Sequence, residues 1–233
     1  MIDPFKEAER VRKIVCQNDK RKYYRFRGGR FYGGIAAADC VGCIIDCTFC
    51  WSQEPRKNPA RMGQFYSAKA VASKLTNIAI KNGYDKVRIT GNEPTLCKQH
   101  LLRVMSLIPD DFLFILETNG ILIDEGYAKD LSRFKNLHVR VSLKGSNKVM
   151  FSKITNARPE YFNFQLQALR HLIDHNVSCN AAIMYDLLTV HDISEIKNWL
   201  TEIHSLLAQH LEFESLIKYP FVLKNLKQRG IKF

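Results

Sequence analysis

Short β-rich runs alternate with helical patterns along most of this chain, and that alternation narrows the choice of fold more than any other feature. The runs are GGIAAA at 33–38, DKVRIT at 85–90, FLFILE at 112–117, LHVRVSL at 137–143, SCNAAIM at 178–184 and FESLIKY at 213–219. Helices are expected between them at 67–81, 97–107, 124–134, 159–175 and 192–208. In the last of these, Ile193, Ile196, Leu200, Ile203 and Leu207 form one apolar stripe, and Asp192 and Glu195 have the spacing of a capping box. Pro159 suits a first helical turn, and Gly83 and Asn176 suit left-handed helix ends. Strand–helix alternation argues for a parallel sheet. Six strands and five helices predict an α/β fold, a partial (β/α)6 barrel left open on one side, in a single domain. The expected division is a basic lead-in at 1–32, the partial barrel at 33–219 and a basic tail at 220–233.

In such folds the chemistry gathers at the carboxyl ends of the strands. The unusual residues here do follow strands: the cysteines after the first, TGNEPT after the second, ETNG at the end of the third and SLKG at the end of the fourth. The densest stretch is ADCVGCIIDCTFCWS at 38–52, which holds four of the seven cysteines in eleven positions. Zinc usually takes four ligands as two separated pairs. Cys43, Cys47 and Cys50, spaced C-x3-C-x2-C, instead fit three corners of a cubane [4Fe–4S] cluster whose fourth iron stays open. Cys40 either adds a fourth thiol or packs as a small strand-end residue. Cys16, Cys97 and Cys179 are scattered and are expected to be single packing residues. His171 and His175 lie four apart amid apolar positions, as on a helix face.

Composition bounds the setting. At 233 residues and 46% hydrophobic, the chain can bury a substantial core. No apolar run approaches the roughly 20 residues of a membrane-spanning helix, and the N-terminus, charged from Asp3, lacks a signal-peptide core. A cytoplasmic location with no membrane contact is the default expectation, and there clustered cysteines favour metal chemistry over disulfides. The formal net charge is +12, and residues 1–30 carry ten Lys or Arg against four acids. Such a surface attracts nucleic acid or acidic proteins, or simply stays solvated. KRKYYRFRGGRFYGG at 20–34 interleaves those charges with Tyr23, Tyr24, Phe26, Phe31 and Tyr32. It reads either as a phosphate- and base-binding stretch or as a lead-in strand packed under the barrel.

CIIDCTFC, with Phe49 before its last cysteine, resembles the signature of the radical S-adenosylmethionine superfamily. GNEP, from Gly91 to Pro94, is similar to that superfamily's GGEP. ETNG and SLKG resemble segments of the activating enzymes for pyruvate formate-lyase and related glycyl-radical enzymes. The resemblance covers roughly 33–219. It implies a [4Fe–4S] cluster on Cys43, Cys47 and Cys50, and S-adenosylmethionine contacts from Phe49, Gly91, Asn92, Glu93, Thr118, Asn119, Ser142 and Lys144. In that scheme Gly91, Asn92 and Glu93 meet the methionine amine, Lys144 the carboxylate and Ser142 the ribose. Without the resemblance, Glu93 is a strand-end carboxylate in an ion pair, TNG an ordinary turn and Lys144 a surface lysine.

The implied activity is reductive cleavage of S-adenosylmethionine to a 5′-deoxyadenosyl radical that abstracts hydrogen, first of all from a partner protein. Radical modification of tRNA or of a modified-nucleoside precursor stays open, and so does a non-catalytic electron-transfer or sensing role. The Trp51 segment resembles the tRNA-modifying wybutosine-forming enzyme. An acidic donor, flavodoxin or ferredoxin-like, is expected to reduce the cluster, drawn by the basic surface.

Overall fold

The computed structural model describes residues 1–233. In chain order the elements are α1 (Pro4–Val15), β1 (Cys16–Gln17), β2 (Lys20–Gly29), β3 (Ile35–Cys40), α2 (Gln53–Lys57), β4 (Gln64–Ser67), α3 (Ala68–Asn82), β5 (Lys86–Gly91), α4 (Lys98–Met105), β6 (Leu113–Thr118), α5 (Glu125–Leu131), β7 (Leu137–Leu143), α6 (Lys148–Thr155), α7 (Phe162–Asp174), β8 (Cys179–Met184), α8 (Val190–Ile203), α9 (Ser205–Gln209), β9 (Glu212–Glu214) and α10 (Pro220–Gln228). The strands β3, β5, β6, β7, β8 and β9 pair in that order, all parallel. They are the six strands of an open partial barrel in a single α/β domain. β2 adds antiparallel to the β3 edge, and β1 and β4 pair with β2.

Alternation along each strand separates two faces. Ala36, Ala38 and Cys40 of β3, Val87 and Ile89 of β5, Phe114 and Leu116 of β6 and Val139 and Val141 of β7 enter one apolar core with the helices. Each large side chain buried this way contributes about 1.5–3 kcal/mol. The residues between them point to the concave side, and many are polar: Asp39, Arg88, Thr90, Glu117, Arg140 and Ser142.

Of the two readings of 20–34, the structure takes the lead-in strand: the stretch forms β2 and the turn after it, and the Tyr23 ring, 2% exposed, is core. Pro220–Gln228 form α10, whose Val222 and Leu226 join Ile154, Leu187, Leu216 and Ile231 in a second apolar cluster. The capping box of α8 is Thr189 with Asp192, because the Thr189 hydroxyl can accept from the Asp192 N–H while the Asp192 carboxylate accepts from the Thr189 N–H. Glu195 accepts from Asn147 instead. The last strand is only Glu212–Glu214, and the long final helix breaks at His204. Cys16 and Cys97 are not separate packing residues but a disulfide, with Cα atoms 5.9 Å apart. Gly83 and Asn176 do adopt positive φ at helix ends. No helix is long and apolar enough to cross a membrane.

Candidate functional site

The loop after β3 carries Cys43, Cys47 and Cys50, all half-buried at the carboxyl end of the parallel sheet. Its backbone is anchored at several points. Asp46 and Thr48 donate N–H bonds to the carbonyls of Thr155 and Ile154 at the end of α6. The Arg229 guanidinium bonds the Asp46 carboxylate at 2.8 Å and the Asp46 carbonyl at 3.2 Å, and Arg56 of α2 binds the other Asp46 oxygen at 2.5 Å. Asn225 of α10 reaches the Thr48 carbonyl at 3.4 Å. The C-terminal helix therefore clamps the cysteine loop from outside.

Asn92 closes the loop from within. Its Oδ1 accepts from the Gly42 N–H at 3.1 Å, just before Cys43, and its Nδ2 donates to Ser52 Oγ and to the Ser52 carbonyl, just after Cys50. Glycine at this place could make neither bond. Gly91, at φ 99°, is required by the β3 backbone itself, since a Cβ there would stand 2.8 Å from the Cys40 nitrogen. Cys40 faces the helix-side core and donates to the Thr90 carbonyl, so it packs and is no fourth ligand.

Glu93, 1% exposed, is turned inward. Its Oε1 accepts from Thr95 N–H, Thr95 Oγ1 and Thr118 Oγ1, and its Oε2 from Asn119 N–H at 2.9 Å. This carboxylate ties the end of β5 to the end of β6. Arg21, also buried, donates to the carbonyls of Glu93 and Pro94 beside it. Asn119 points its side-chain amide at Cys43 Sγ, 4.0 Å away. Gln165 of α7, fully buried, performs the same joining between β6 and β7: it donates to the carbonyls of Asn119 and Ser142 and accepts from Lys144 N–H. Lys144 Nζ lies 2.5 Å from Ser142 Oγ and 5.4 Å from the centre of the Phe49 ring.

The structure brings the motif residues Cys43, Cys47, Cys50, Phe49, Asn119, Ser142 and Lys144 to one mouth. Gln165, Arg21, Arg56 and Arg229 support it from outside any motif. A polar Gln among the apolar positions of α7 is the one local signal for any of these. Deeper on the concave face, Glu117 accepts from Arg88, Thr90 and Tyr32 at 2.5–2.9 Å, and Arg140 pairs with Glu212 and Glu214.

Burial dominates the electrostatics of the three thiols. Burial pushes all three thiols up, Cys47 to about 12, while Lys144 and Arg56 pull Cys47 and Cys50 back. A bound metal ion is what deprotonates such thiols outright. Three thiols on one short loop are the donor set that thiolate-held iron–sulfur clusters use. Two buried polar atoms of this region, Thr48 Oγ1 and Arg56 Nε, have no hydrogen-bond partner in the protein.

Comparison with known proteins places this geometry. The model of the radical SAM superfamily matches residues 39–200. Among curated proteins, the GTP 3′,8-cyclase of Pasteurella multocida is 25% identical over 193 residues, 78% of this chain and 51% of that protein. The GTP 3′,8-cyclase of Clostridium acetobutylicum is 36% identical over 120 residues, 49% of this chain and 35% of that one. The chain thus spans from about a third to half the length of these relatives. Among solved structures, Streptococcus suis SuiB bound to S-adenosylmethionine superposes with a TM-score of 0.62 at 16% identity, over 82% of this chain and 44% of that one.

Proposed function

Because the chain belongs to the radical SAM superfamily, we propose that it is an enzyme whose Cys43, Cys47 and Cys50 hold a [4Fe–4S] cluster and whose surrounding strand ends hold S-adenosylmethionine. Bound together, these groups supply a 5′-deoxyadenosyl radical that takes a hydrogen atom from a substrate. The chain's own residues bind and orient. Lys144 offers a cation for the methionine carboxylate, and Ser142 a hydroxyl for the ribose. The Phe49 backbone is offered to the adenine while its ring packs against the second apolar cluster, and the Asn119 amide faces the mouth beside Cys43. Glu93 differs from the motif-based expectation: with both oxygens engaged by the β5 and β6 ends, it acts on the cofactor through Thr118 and Asn119. The Gly91–Asn92 backbone is offered to the amine, while the Asn92 side chain latches the cysteine loop.

The observation that carries this reading is three thiols on one loop, set within the same mouth as Asn119 and Lys144. Anaerobic reconstitution with iron and sulfide, reduction by dithionite and assay of 5′-deoxyadenosine test it. Wild type is expected to form the product, and alanine at any of the three cysteines to lose both iron and product. Full activity in a triple alanine variant would sink the reading.

The substrate reading has two branches. ETNG and SLKG, together with the open side of the sheet, support the activating-enzyme branch, in which the hydrogen comes from a backbone glycine of a partner protein. The GTP 3′,8-cyclase relatives and the charged concave face support a small nucleotide or modified-nucleoside substrate. Stimulation of 5′-deoxyadenosine formation by a protein fraction, by tRNA or by purine nucleotides separates the branches. The acidic flavodoxin or ferredoxin-like donor belongs to the same proposal, supported by the +12 charge. Reduction of the cluster by such a donor is expected to slow steeply with added salt.

A further inference from the structure

β2 pairs Tyr23 with Cys40 but Arg25 with Asp39, so Tyr24 is an extra, bulged residue. Bulges of this kind re-aim side chains next to functional sites. Here the bulge turns Tyr24 towards the segment after the last cysteine, where its hydroxyl bonds Ser52 Oγ at 2.7 Å. It also brings Arg25 onto the concave face. The Arg25 guanidinium carbon stands 5.3 Å from the centre of the Trp51 ring and 5.6 Å from that of Tyr24.

The charges beneath balance in number, four guanidiniums against four carboxylates, but not in place. Asp39, fully buried, is shared by two guanidiniums: Arg25 Nε at 2.6 Å, and Arg27 Nε at 3.0 Å with a second Arg27 nitrogen at 3.3 Å. Arg88 is matched by Glu117, and Arg140 is more than matched by Glu212 and Glu214. The unmatched positive charge therefore falls at β2. Only Nε of Arg25 is engaged in a hydrogen bond, its side chain is 43% exposed, and its plane is held by two aromatic rings. Its two terminal nitrogens form an open fork, preorganised for two oxygens of a carboxylate or phosphate.

We propose that Arg25, backed by Arg27 and Asp39 and flanked by Trp51 and Tyr24, is the site that takes one carboxylate or phosphate group of the substrate. The site lies beside the cysteine loop, so an anion on Arg25 would hold the rest of the substrate over the concave face. The inference rests on the radical-enzyme reading for the word substrate, but its test does not depend on turnover.

The test uses anaerobically reconstituted protein in a Trp199→Phe background, which leaves Trp51 as the single tryptophan. Its emission is titrated with inorganic pyrophosphate and, separately, with malonate. Saturable quenching by at least one probe is expected, and which of the two binds tells phosphate from carboxylate. Arg25→Gln should weaken that binding about tenfold or more. Arg27→Gln, which leaves Arg25 in place but removes the excess charge, should weaken it several-fold. Arg10→Gln, at an exposed arginine on α1, should change nothing. Silence of Trp51 towards both probes, or binding unchanged within twofold in both the Arg25 and Arg27 variants, would overturn the proposal. Formation of 5′-deoxyadenosine by the wild type is scored in parallel. Its absence counts against the enzyme reading and leaves the anion site to be judged on binding.

Discussion

Glu93 shows how a motif residue can matter for a reason its motif does not announce. A buried carboxylate that accepts from four protein donors is a joint between two strand ends. Glu93→Gln would put an amide among those donors and leave at least one unpaired, at a cost of about 1–3 kcal/mol. The expected result is a melting temperature several degrees lower and a weaker S-adenosylmethionine affinity by calorimetry. An unchanged melting temperature would mean the joint is dispensable. Glu117 sits in a comparable knot lower on the concave face. Burial raises its carboxyl, but Arg88, Arg140, Thr90 and Tyr32 more than reverse this and hold it below the usual range. Its contribution to stability is thus present above the ordinary Glu range and is lost as acid titrates the folded carboxylate. Acid unfolding curves should show this loss, and Glu117→Gln should flatten it.

At the scale of elements, the site depends on how helices fasten strand ends. Gln165 carries the junction of β6 and β7 on one side chain. Gln165→Met would fill the space but strand two carbonyls and one N–H, costing about 3 kcal/mol. Urea denaturation should report it, and a change below about 0.5 kcal/mol would show that water replaces the amide. Helix α4 is fastened to the N-terminal turn through His100, which is 2% exposed. Its Nδ1 faces the Asp19 carbonyl at 2.7 Å, so that nitrogen is the donor, and its Nε2 accepts from the Tyr23 hydroxyl at 3.0 Å. Burial pushes its pKa down to about 4. The unfolded chain therefore binds a proton that the folded chain refuses between the ordinary value of 6.5 and about 4. Stability should fall across that window as pH drops, by up to about 3 kcal/mol, and His100→Gln should remove the slope.

For the whole molecule, the Cys16–Cys97 bridge spans a sequence separation of 81 residues and joins β1 to the turn that follows GNEP. Closing a loop of that length restricts the unfolded chain by about 4 kcal/mol in the chain-entropy account. Melting under strong reductant, or in a Cys16→Ala/Cys97→Ala variant, should fall by roughly 10 °C for a chain of this size. Equal melting temperatures in both states would show that the bridge does not constrain the chain.

Much of the molecule was readable from residue order alone. Period-two runs alternating with helical stripes specify six parallel strands, because the pattern is local and repeats. The cysteine spacing specifies a thiol loop, because C-x3-C-x2-C places its ligands without help from distant chain. Tertiary structure alone decided what holds that loop in shape. Asn92 latches positions forty and more residues away, Arg229 reaches 183 residues back to Asp46, and Cys16 finds Cys97. Tyr23, Tyr24 and Arg25 go to different places because one bulge shifts their pairing. These are contacts between residues with no common local pattern, made only when the sheet curls and brings its strand ends to a single mouth, and no periodicity along the chain encodes them.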